Sequence, residues 1–233
     1  MNQNRFIDEV EKLGILVTPK KLEQLQKYYE LLIEYNKVMN LTGITEKESV
    51  YLKHFYDSLT ISKIIDLNNE TSLCDLGSGA GFPGIVLKIF YPDLNVILID
   101  SLNKRINFLN TVINKLDLKN ITAIHSRIED YAKENIEKFD VVTARAVAPL
   151  NILLELGINL VKIGKYFIAM KGNIENEPKY DNAINKLNCS LGNIINFKLP
   201  IENSNRSLVK IIKENHTPKL FPRKYSDIKK NPL

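Results

Sequence analysis

The chain has 233 residues, of which 44% are hydrophobic and 25% are charged, and its net charge is +5. These proportions are those of a globular protein with a full core, and they exclude a disordered or fibrous chain. No apolar run approaches the roughly 20 residues that span a bilayer and no secretory signal opens the sequence, so we expect a cytoplasmic protein without membrane segments. Cys74 and Cys189 have no neighbours at metal-ligand spacing, so we expect reduced thiols, with Cys74 in the core, and no metal site.

The first 66 residues predict helices that precede the first strand. We expect a short helix over residues 4–14 and a second helix from Thr18-Pro19, an N-cap followed by proline, to about Val38. Asn40-Leu41-Thr42-Gly43 ends this helix, and a further helical stretch is predicted from about Glu46 to Ile65. Residues 1–66 therefore form a predicted helical extension that packs on the core.

His54, Asp57 and Ser58 share one face of the third helical stretch. They do not make a hydrolase triad, because one helix cannot hold a base and a nucleophile in facing geometry. Two interpretations stay open. One is a hydrogen bond between His54 and Asp57 on the helix surface, and the other is a place for His54 in a substrate site.

A glycine-rich stretch organises the rest of the chain. Leu73 to Leu76 predicts a buried strand, Pro83 predicts the start of a helix, and Gly77, Gly79 and Gly81 between them predict a turn with positive φ. Gly79 to Gly84 fits G-x-G-x-x-G, the dinucleotide motif. Asp75 followed by the three alternate glycines is typical of methyltransferases that bind S-adenosylmethionine, and the ammonium group of that cofactor favours this second interpretation.

An acid at the end of the second predicted strand supports a cofactor site. Asp100 ends the apolar run Asn95 to Asp100 and lies 23 residues after Gly77. In both cofactor classes an acid at this position accepts hydrogen bonds from the ribose hydroxyls of adenosine. The glycine turn and the spaced acid together therefore predict a nucleotide-like cofactor.

The remaining pattern alternates helices with strands and predicts a doubly wound, mostly parallel α/β sheet of seven strands over residues 67–213. The expected elements are a helix over Lys104–Leu116, strands over Ile121–Ser126 and Phe139–Ala144 with a charged helix over Arg127–Lys138 between them, an apolar helix over Leu150–Val161 ended by Gly164, and strands over Tyr166–Met170, near Ile194–Leu199 and near Leu208–Ile212.

Arg145 is the most informative residue at the strand ends, where such sheets bind ligands. It stands in the otherwise uncharged run Val141 to Pro149, where a buried guanidinium needs a partner. A cofactor carboxylate, a substrate phosphate, or a salt bridge to Asp75 or Glu129 would each provide one. Lys171, after the fifth strand, is a further candidate.

Several ordered motifs resemble the RsmG (GidB) family of small-subunit rRNA methyltransferases. The motifs are Asn40-Leu41-Thr42, His54 to Leu59, Asp75 to Gly84, Leu98 to Arg105, Thr143 to Ala148, Lys171-Gly172 and Phe221 to Lys224. The resemblance covers almost the whole chain. It implies the class I, Rossmann-like fold, S-adenosylmethionine as cofactor, and methylation of N7 of a guanine in a 16S rRNA loop near the decoding site.

The resemblance places cofactor contacts at Gly77, Phe82, Ile128, Glu129 and Arg145, to which the motif analysis adds Asp75, Gly79, Gly81 and Asp100. Guanine N7 presents a lone pair and has no proton to lose, so no acid or base residue is expected and positioning is the main catalytic device. The catalytic residues stay unknown, with Arg145, His54 and Lys171 as candidates for positioning the RNA.

The last segment, residues 214–233, holds five basic and two acidic residues. It suits a polyanionic partner or a solvated terminus equally. Tyr225-Ser226-Asp227 stands where the resemblance leads us to expect a glycine. The expected partner is 16S rRNA or the small ribosomal subunit, bound by a monomer.

Two other classes stay open. A nicotinamide-dependent oxidoreductase would share the glycine motif and Asp100, although no Tyr-x-x-x-Lys pair follows strand four. A non-catalytic RNA-binding protein would rest on the basic tail alone.

Overall fold

A seven-stranded sheet forms the centre of the computed structural model, which describes residues 1–233. The strands are β1 (Ser72–Leu76), β2 (Asn95–Asp100), β3 (Ile121–His125), β4 (Phe139–Arg145), β5 (Val161–Lys171), β6 (Cys189–Lys198) and β7 (Asn205–Lys213). Their order across the sheet is β3-β2-β1-β4-β5-β7-β6. The first five strands are parallel, and β7 runs antiparallel to both of its neighbours. The predicted doubly wound, mostly parallel sheet is therefore confirmed.

Helices cover both faces of this sheet. They are α1 (Gln3–Glu11), α2 (Pro19–Met39), α3 (Lys47–Val50), α4 (Asp57–Leu59), α5 (Gly84–Phe90), α6 (Asn103–Lys115), α7 (Ile128–Glu134), α8 (Leu150–Gly157), α9 (Asp181–Lys186) and α10 (Tyr225–Lys230). Helices α5 and α6 share one apolar core with α1 and α2, whereas α7, α8 and α9 cover the opposite face. Cys74 is a buried free thiol in that second core, as predicted. No helix is both long and apolar enough to cross a bilayer.

The helical extension begins and ends as its sequence predicts. The Thr18 hydroxyl accepts the backbone N–H of Lys21 at 3.4 Å and caps α2, and Asn40 ends that helix in the left-handed conformation with φ of 51°. The predicted helix over Glu46–Ile65 is a composite, because a π-helical segment, Tyr51–Tyr56, separates α3 from α4. The division of the chain at residues 66 and 213 stays a prediction.

One predicted boundary is wrong. The α-helix expected over Leu150–Val161 ends at Gly157, a 3-10 turn continues it over Ile158–Leu160, and β5 begins at Val161. Val161 pairs with Phe139, but the next pair joins Tyr166 to Val141, so four residues of β5 loop out between the pairs. Gly164 lies in this bulge with φ of 77°, a conformation that favours glycine, and it does not end a helix.

Candidate functional site

The glycine turn joins β1 to α5 at the carboxyl edge of the sheet. The N–H of Ser78 donates to the carbonyl of Ile99 at 2.9 Å and ties the turn to β2. A Cβ on Gly77 would lie 2.8 Å from Cγ2 of Val147, so only a glycine lets the loop after β4 approach so closely. Helix α5 begins at Gly84, with Pro83 in the preceding cap position.

Asp75 lies beneath the turn and supports it. One carboxylate oxygen accepts the N–H of Gly84 at 3.0 Å, whereas the other has no partner. The residue is fully buried and lines neither of the cavities described below. Its burial raises its pKa to about 7, against the opposing effect of the Gly84 hydrogen bond. Asp75 is thus buried beneath the turn, and its contact with a cofactor ammonium stays a prediction.

Gly81 faces away from both cavities as well. A Cβ there would lie 2.6 Å from the hydroxyl of Tyr28, a fully buried side chain of α2 that donates to the carbonyl of Ala80. The structure therefore places Gly81 at a packing contact between the turn and the helical extension, and its role at the cofactor stays a prediction.

Asp100 connects the turn to the loop after β2. Its Oδ2 accepts the N–H of Gly79 at 2.9 Å and Nη1 of Arg105 at 3.1 Å, and its Oδ1 accepts the N–H of Leu102 at 2.9 Å. A carboxylate offers about four acceptor positions, so one remains for a further donor. The predicted ribose contact is compatible with this geometry.

A small cavity of about 300 Å³ opens beside Asp100. Gly77, Ile128 and Glu129 line it, as do Ser101 and Val147. These residues follow β1, β2, β3 and β4 along the chain, so the small cavity lies at the carboxyl ends of four neighbouring strands. We call this cavity the cofactor slot. Bare turn backbone, an acid with spare acceptor capacity and apolar side chains together fit the adenosine part of a nucleotide-like cofactor.

A larger cavity of about 960 Å³ adjoins the small one. Both are lined by Gly77, Arg105 and the loop segment 146–148, so they meet at the glycine turn. Gly79 and Phe82 line only the larger cavity, together with Arg145. The predicted cofactor residues are therefore divided between two neighbouring spaces.

Arg145 ends β4 and is held by the helical extension. Its Nη1 donates to the carbonyl of Lys53 at 2.7 Å and to Oδ2 of Asp57 at 3.1 Å, and its guanidinium lies 5.3 Å from the ring centre of Phe82. The salt bridge predicted as an alternative exists, but its partner is Asp57 and not Asp75 or Glu129. The side chain is 16% exposed, so one edge still faces the cavity.

His54 is a neutral ring stacked against Phe82. The ring centres are 4.4 Å apart, and Nδ1 lies 3.2 Å from Nη2 of Arg145. Nδ1 lies equally close, at 3.2 Å, to the carbonyl oxygen of Lys53, and Nε2 forms a hydrogen bond of 2.9 Å with the Thr42 hydroxyl. Burial and the charge of Arg145 lower the pKa of His54 to about 3. The His54–Asp57 hydrogen bond considered from the sequence is absent, since Arg145 lies between them.

Arg206 completes this cluster and was missed by the sequence analysis. Its Nε donates to Oδ1 of Asp57 at 3.0 Å, and its Nη1 donates to the carbonyl of Asn205 at 2.8 Å. Its Nη2 has no protein partner and the residue lines the larger cavity. No sequence signal marks Arg206, because it lies in an ordinary strand of alternating residues.

Lys171 also lines the larger cavity, but its charge is already paired. Its Nζ donates to the carbonyl of Ala148 at 2.6 Å and lies 3.1 Å from a carboxylate oxygen of Glu177. The other oxygen of Glu177 accepts the N–H of Leu150, the first residue of α8, at 2.6 Å. Lys171 thus supports the loop that walls the cavity.

The residues around the two cavities include neither a cluster of metal-binding side chains nor a cysteine. No group of three or more metal-binding side chains lies close enough to hold an ion. Cys74 and Cys189 line neither cavity, and burial raises the pKa of Cys189 to about 12.

A family model and individual relatives both match the sequence of this chain. The family model described as rRNA small subunit methyltransferase G (GidB) matches residues 21–207. A ribosomal RNA small subunit methyltransferase G from Bacillus cytotoxicus is 47% identical, with 100% of this chain and 99% of the relative covered. Its counterpart from Bacillus thuringiensis is 46% identical over the same shares of both chains.

Solved structures share the fold at low identity. A SAM-dependent methyltransferase from Aquifex aeolicus superimposes with a TM-score of 0.51 and 18% identity over 70% of this chain and 93% of its own. A 16S rRNA adenine methyltransferase from Catenulisporales acidiphilia gives a TM-score of 0.51 and 14% identity over 63% and 86% of the two chains. At these identities the likeness concerns the fold alone.

The family model and the full-length sequence matches point to the same family. The chain belongs to the rRNA small subunit methyltransferase G (GidB) family.

Proposed function

We propose that this protein transfers the methyl group of S-adenosylmethionine to N7 of a guanine in the decoding-region loop of 16S rRNA. The observation that carries the proposal is the larger cavity, which adjoins the cofactor slot at the glycine turn and presents arginines and a stacked His54-Phe82 pair but no free base. Family membership and the match to rRNA methyltransferases support the substrate class.

We assign S-adenosylmethionine to the small cavity, which is lined by Gly77, Asp100, Ile128 and Glu129. S-adenosylmethionine supplies an electrophilic methyl group, which the N7 lone pair attacks while the bond from sulfur to that carbon breaks. The product base carries the positive charge and no proton leaves. A general base is therefore unnecessary, in agreement with the low pKa of His54 and the pairing of Asp57 with two arginines.

The residues of the larger cavity act by positioning. The free Nη2 of Arg206 can donate to a phosphate or to the guanine O6 oxygen and leave N7 unblocked. The flat pair of His54 and Phe82 offers an apolar surface beside the guanidinium of Arg145, which suits an unstacked RNA base. Because orientation of two reactants accounts for much of such a barrier, this rigid arrangement is the catalytic device.

The proposal extends to the oligomeric state, the location and the form of the substrate. We propose that the enzyme acts as a monomer in the cytoplasm on 16S rRNA or on the small ribosomal subunit. A nicotinamide-dependent oxidoreductase is not favoured, because the chain belongs to a methyltransferase family. A purely RNA-binding role is disfavoured by the formed cofactor slot beside the larger cavity.

The test is transfer of a labelled methyl group from S-adenosylmethionine to 16S rRNA from a strain that lacks this gene. Naked rRNA and intact small subunits are assayed in parallel, and chemical cleavage at 7-methylguanine maps the product. We expect one labelled guanine. The matched control is rRNA from the parent strain, which is already modified and should accept no label. Absence of label on both substrates would overturn the proposal.

A further inference from the structure

The last segment of the chain, residues 214–233, is folded back onto α8 and is not a free basic arm. Arg223 makes a paired contact with Glu155, in which Nε donates to Oε1 at 2.7 Å and Nη2 donates to Oε2 at 2.6 Å. Glu155 is fully buried, and the backbone N–H of Arg223 also donates to it at 3.1 Å. A charge-assisted, bidentate pair of this kind fixes the position of the segment.

A second anchor lies five residues later. Ile228 in α10 is fully buried against Ile152 and Leu156 of α8. The carbonyl of Leu233 accepts a hydrogen bond from the Asn151 side chain at 3.1 Å. The first turn of α10 is therefore held between Arg223 on one side and Ile228 on the other.

Tyr225 is the first residue of α10 and lines the small cavity. Leu156, which packs on Ile228, lines the same cavity, so the anchor and the cavity wall are continuous. Tyr225 is 37% exposed, and no hydrogen bond engages its hydroxyl. A large aromatic side chain is thus held at the mouth of the slot without a partner in the protein.

Resting on the cofactor placement proposed above, we propose that Tyr225 is a cofactor-binding residue that covers the adenosine part of S-adenosylmethionine. Aromatic rings stack on bases without regard to hydrogen-bond pattern, and the remaining walls of the slot supply polar contacts at Asp100 and Ser101.

The test is isothermal titration calorimetry of the full-length protein with S-adenosylmethionine, S-adenosylhomocysteine and methylthioadenosine, which lacks the amino acid part. For Tyr225→Ala we expect Kd to rise about fivefold to tenfold for all three ligands, the lower range of base–aromatic stacking. Tyr225→Phe keeps the ring and should stay within about twofold of the wild type. Lys229→Ala, an exposed site in the same short helix, is the matched control and should bind as the wild type does.

The outcomes separate this inference from the proposed function. Failure of the wild-type protein to bind S-adenosylmethionine would count against the function itself. Normal binding by the wild type with unchanged Kd values for Tyr225→Ala would overturn the role of Tyr225, as would a loss for S-adenosylmethionine that methylthioadenosine does not share. Thermal unfolding of each variant verifies that α10 is not released: Arg223 and Ile228 anchor this segment, so removal of the Tyr225 ring should leave the melting temperature unchanged.

Discussion

Asp57 accepts a hydrogen bond from Arg206 at 3.0 Å, although the two residues are 149 positions apart in the chain. Its other oxygen accepts Arg145. One carboxylate from the helical extension thereby joins the end of β4 to the start of β7 across the larger cavity. Both guanidinium groups share this carboxylate as their counter-ion.

Replacing Asp57 with Asn should therefore weaken both the fold and the reaction. We expect the free energy of unfolding to fall by about 2–3 kcal/mol, because two largely buried arginines lose their shared anion. Methyl transfer should fall more than about tenfold while the Kd for S-adenosylmethionine stays unchanged, since Asp57 does not line the small cavity. Denaturant titration, calorimetry and the methylation assay measure the three quantities.

The matched control for Asp57→Asn is Asp93→Asn, at an exposed acid outside both cavities. It should change none of the three quantities. A Kd for S-adenosylmethionine that weakened together with activity would contradict the division of the site into two spaces.

His54 should make stability depend on pH in the acidic range. Its pKa is lowered to about 3 in the folded protein, from about 6.5 in an unfolded chain. The folded state thus disfavours the protonated ring. The contribution of neutral His54 to the free energy of unfolding is therefore fully present above pH 6.5 and is lost as the pH falls towards 3. Between pH 7 and pH 5 we expect the wild type to lose about 2 kcal/mol more than His54→Gln does, as measured by denaturant titration.

His125→Gln is the control for this titration, because His125 is exposed and contributes to no cavity wall. Its pH dependence should match that of the wild type. Equal pH slopes for the wild type and His54→Gln would show that His54 is not held neutral.

Asp75 should make the protein less stable as the pH rises, the opposite of the effect of His54. Burial raises its pKa to about 7, so its contribution to stability is present at low pH and is lost as the pH rises from about 4 through 7. The variant Asp75→Asn retains an acceptor for the N–H of Gly84 and removes the titration. Denaturant titrations at pH 5 and pH 7 should show the stability of the wild type falling relative to that of Asp75→Asn. A parallel change in the two proteins would contradict the buried, protonating carboxyl.

Local patterns predicted the glycine turn and the strand ends around the small cavity, but not the contacts that build the larger cavity. The glycine turn and Asp100 are recognisable because both lie within single βα units, where spacing along the chain determines spacing in the fold. Arg206 and its contact with Asp57 could not be predicted, since no local pattern encodes a contact between an early helix and the last strand. The burial of Asp75 and the packing of Gly81 on Tyr28 could not be predicted either, because a motif gives residue types but not the side of the turn that each residue faces.

Arg206→Ala should weaken RNA binding selectively. Its free Nη2 faces the larger cavity, so we expect KM for 16S rRNA to rise about tenfold while the Kd for S-adenosylmethionine is unchanged. If the contact is to a phosphate, the slope of log affinity against log salt concentration should decrease by about one. Lys115→Ala, an exposed lysine at the end of α6, is the matched loss of charge and should alter neither KM nor the slope. A rise in KM shared by both variants would indicate general electrostatic attraction and no specific contact.

Gly81→Ala should disturb the wall of the larger cavity by displacing Tyr28, which packs against Phe82. A Cβ at Gly81 would lie 2.6 Å from the Tyr28 hydroxyl, and Tyr28 stacks on Phe82 with ring centres 5.3 Å apart. Because Phe82 also stacks on His54, displacement of Tyr28 should shift the His54-Phe82 pair on which we propose the base to stack. We expect the free energy of unfolding to fall by about 2–4 kcal/mol, from backbone strain at φ of 97° and overpacking together.

Gly164→Ala separates the two causes of that loss. Gly164 also has a positive φ, 77°, but a Cβ there meets nothing within 4 Å. This variant should lose only the strain, about 1–2 kcal/mol, and should retain full methyl transfer. Gly81→Ala, by contrast, should transfer methyl groups more slowly even at temperatures where it is fully folded, with Kd for S-adenosylmethionine close to that of the wild type because Gly81 lies outside the small cavity. Equal losses of stability and activity in the two variants would mean that Tyr28 does not connect the turn to the stacked surface.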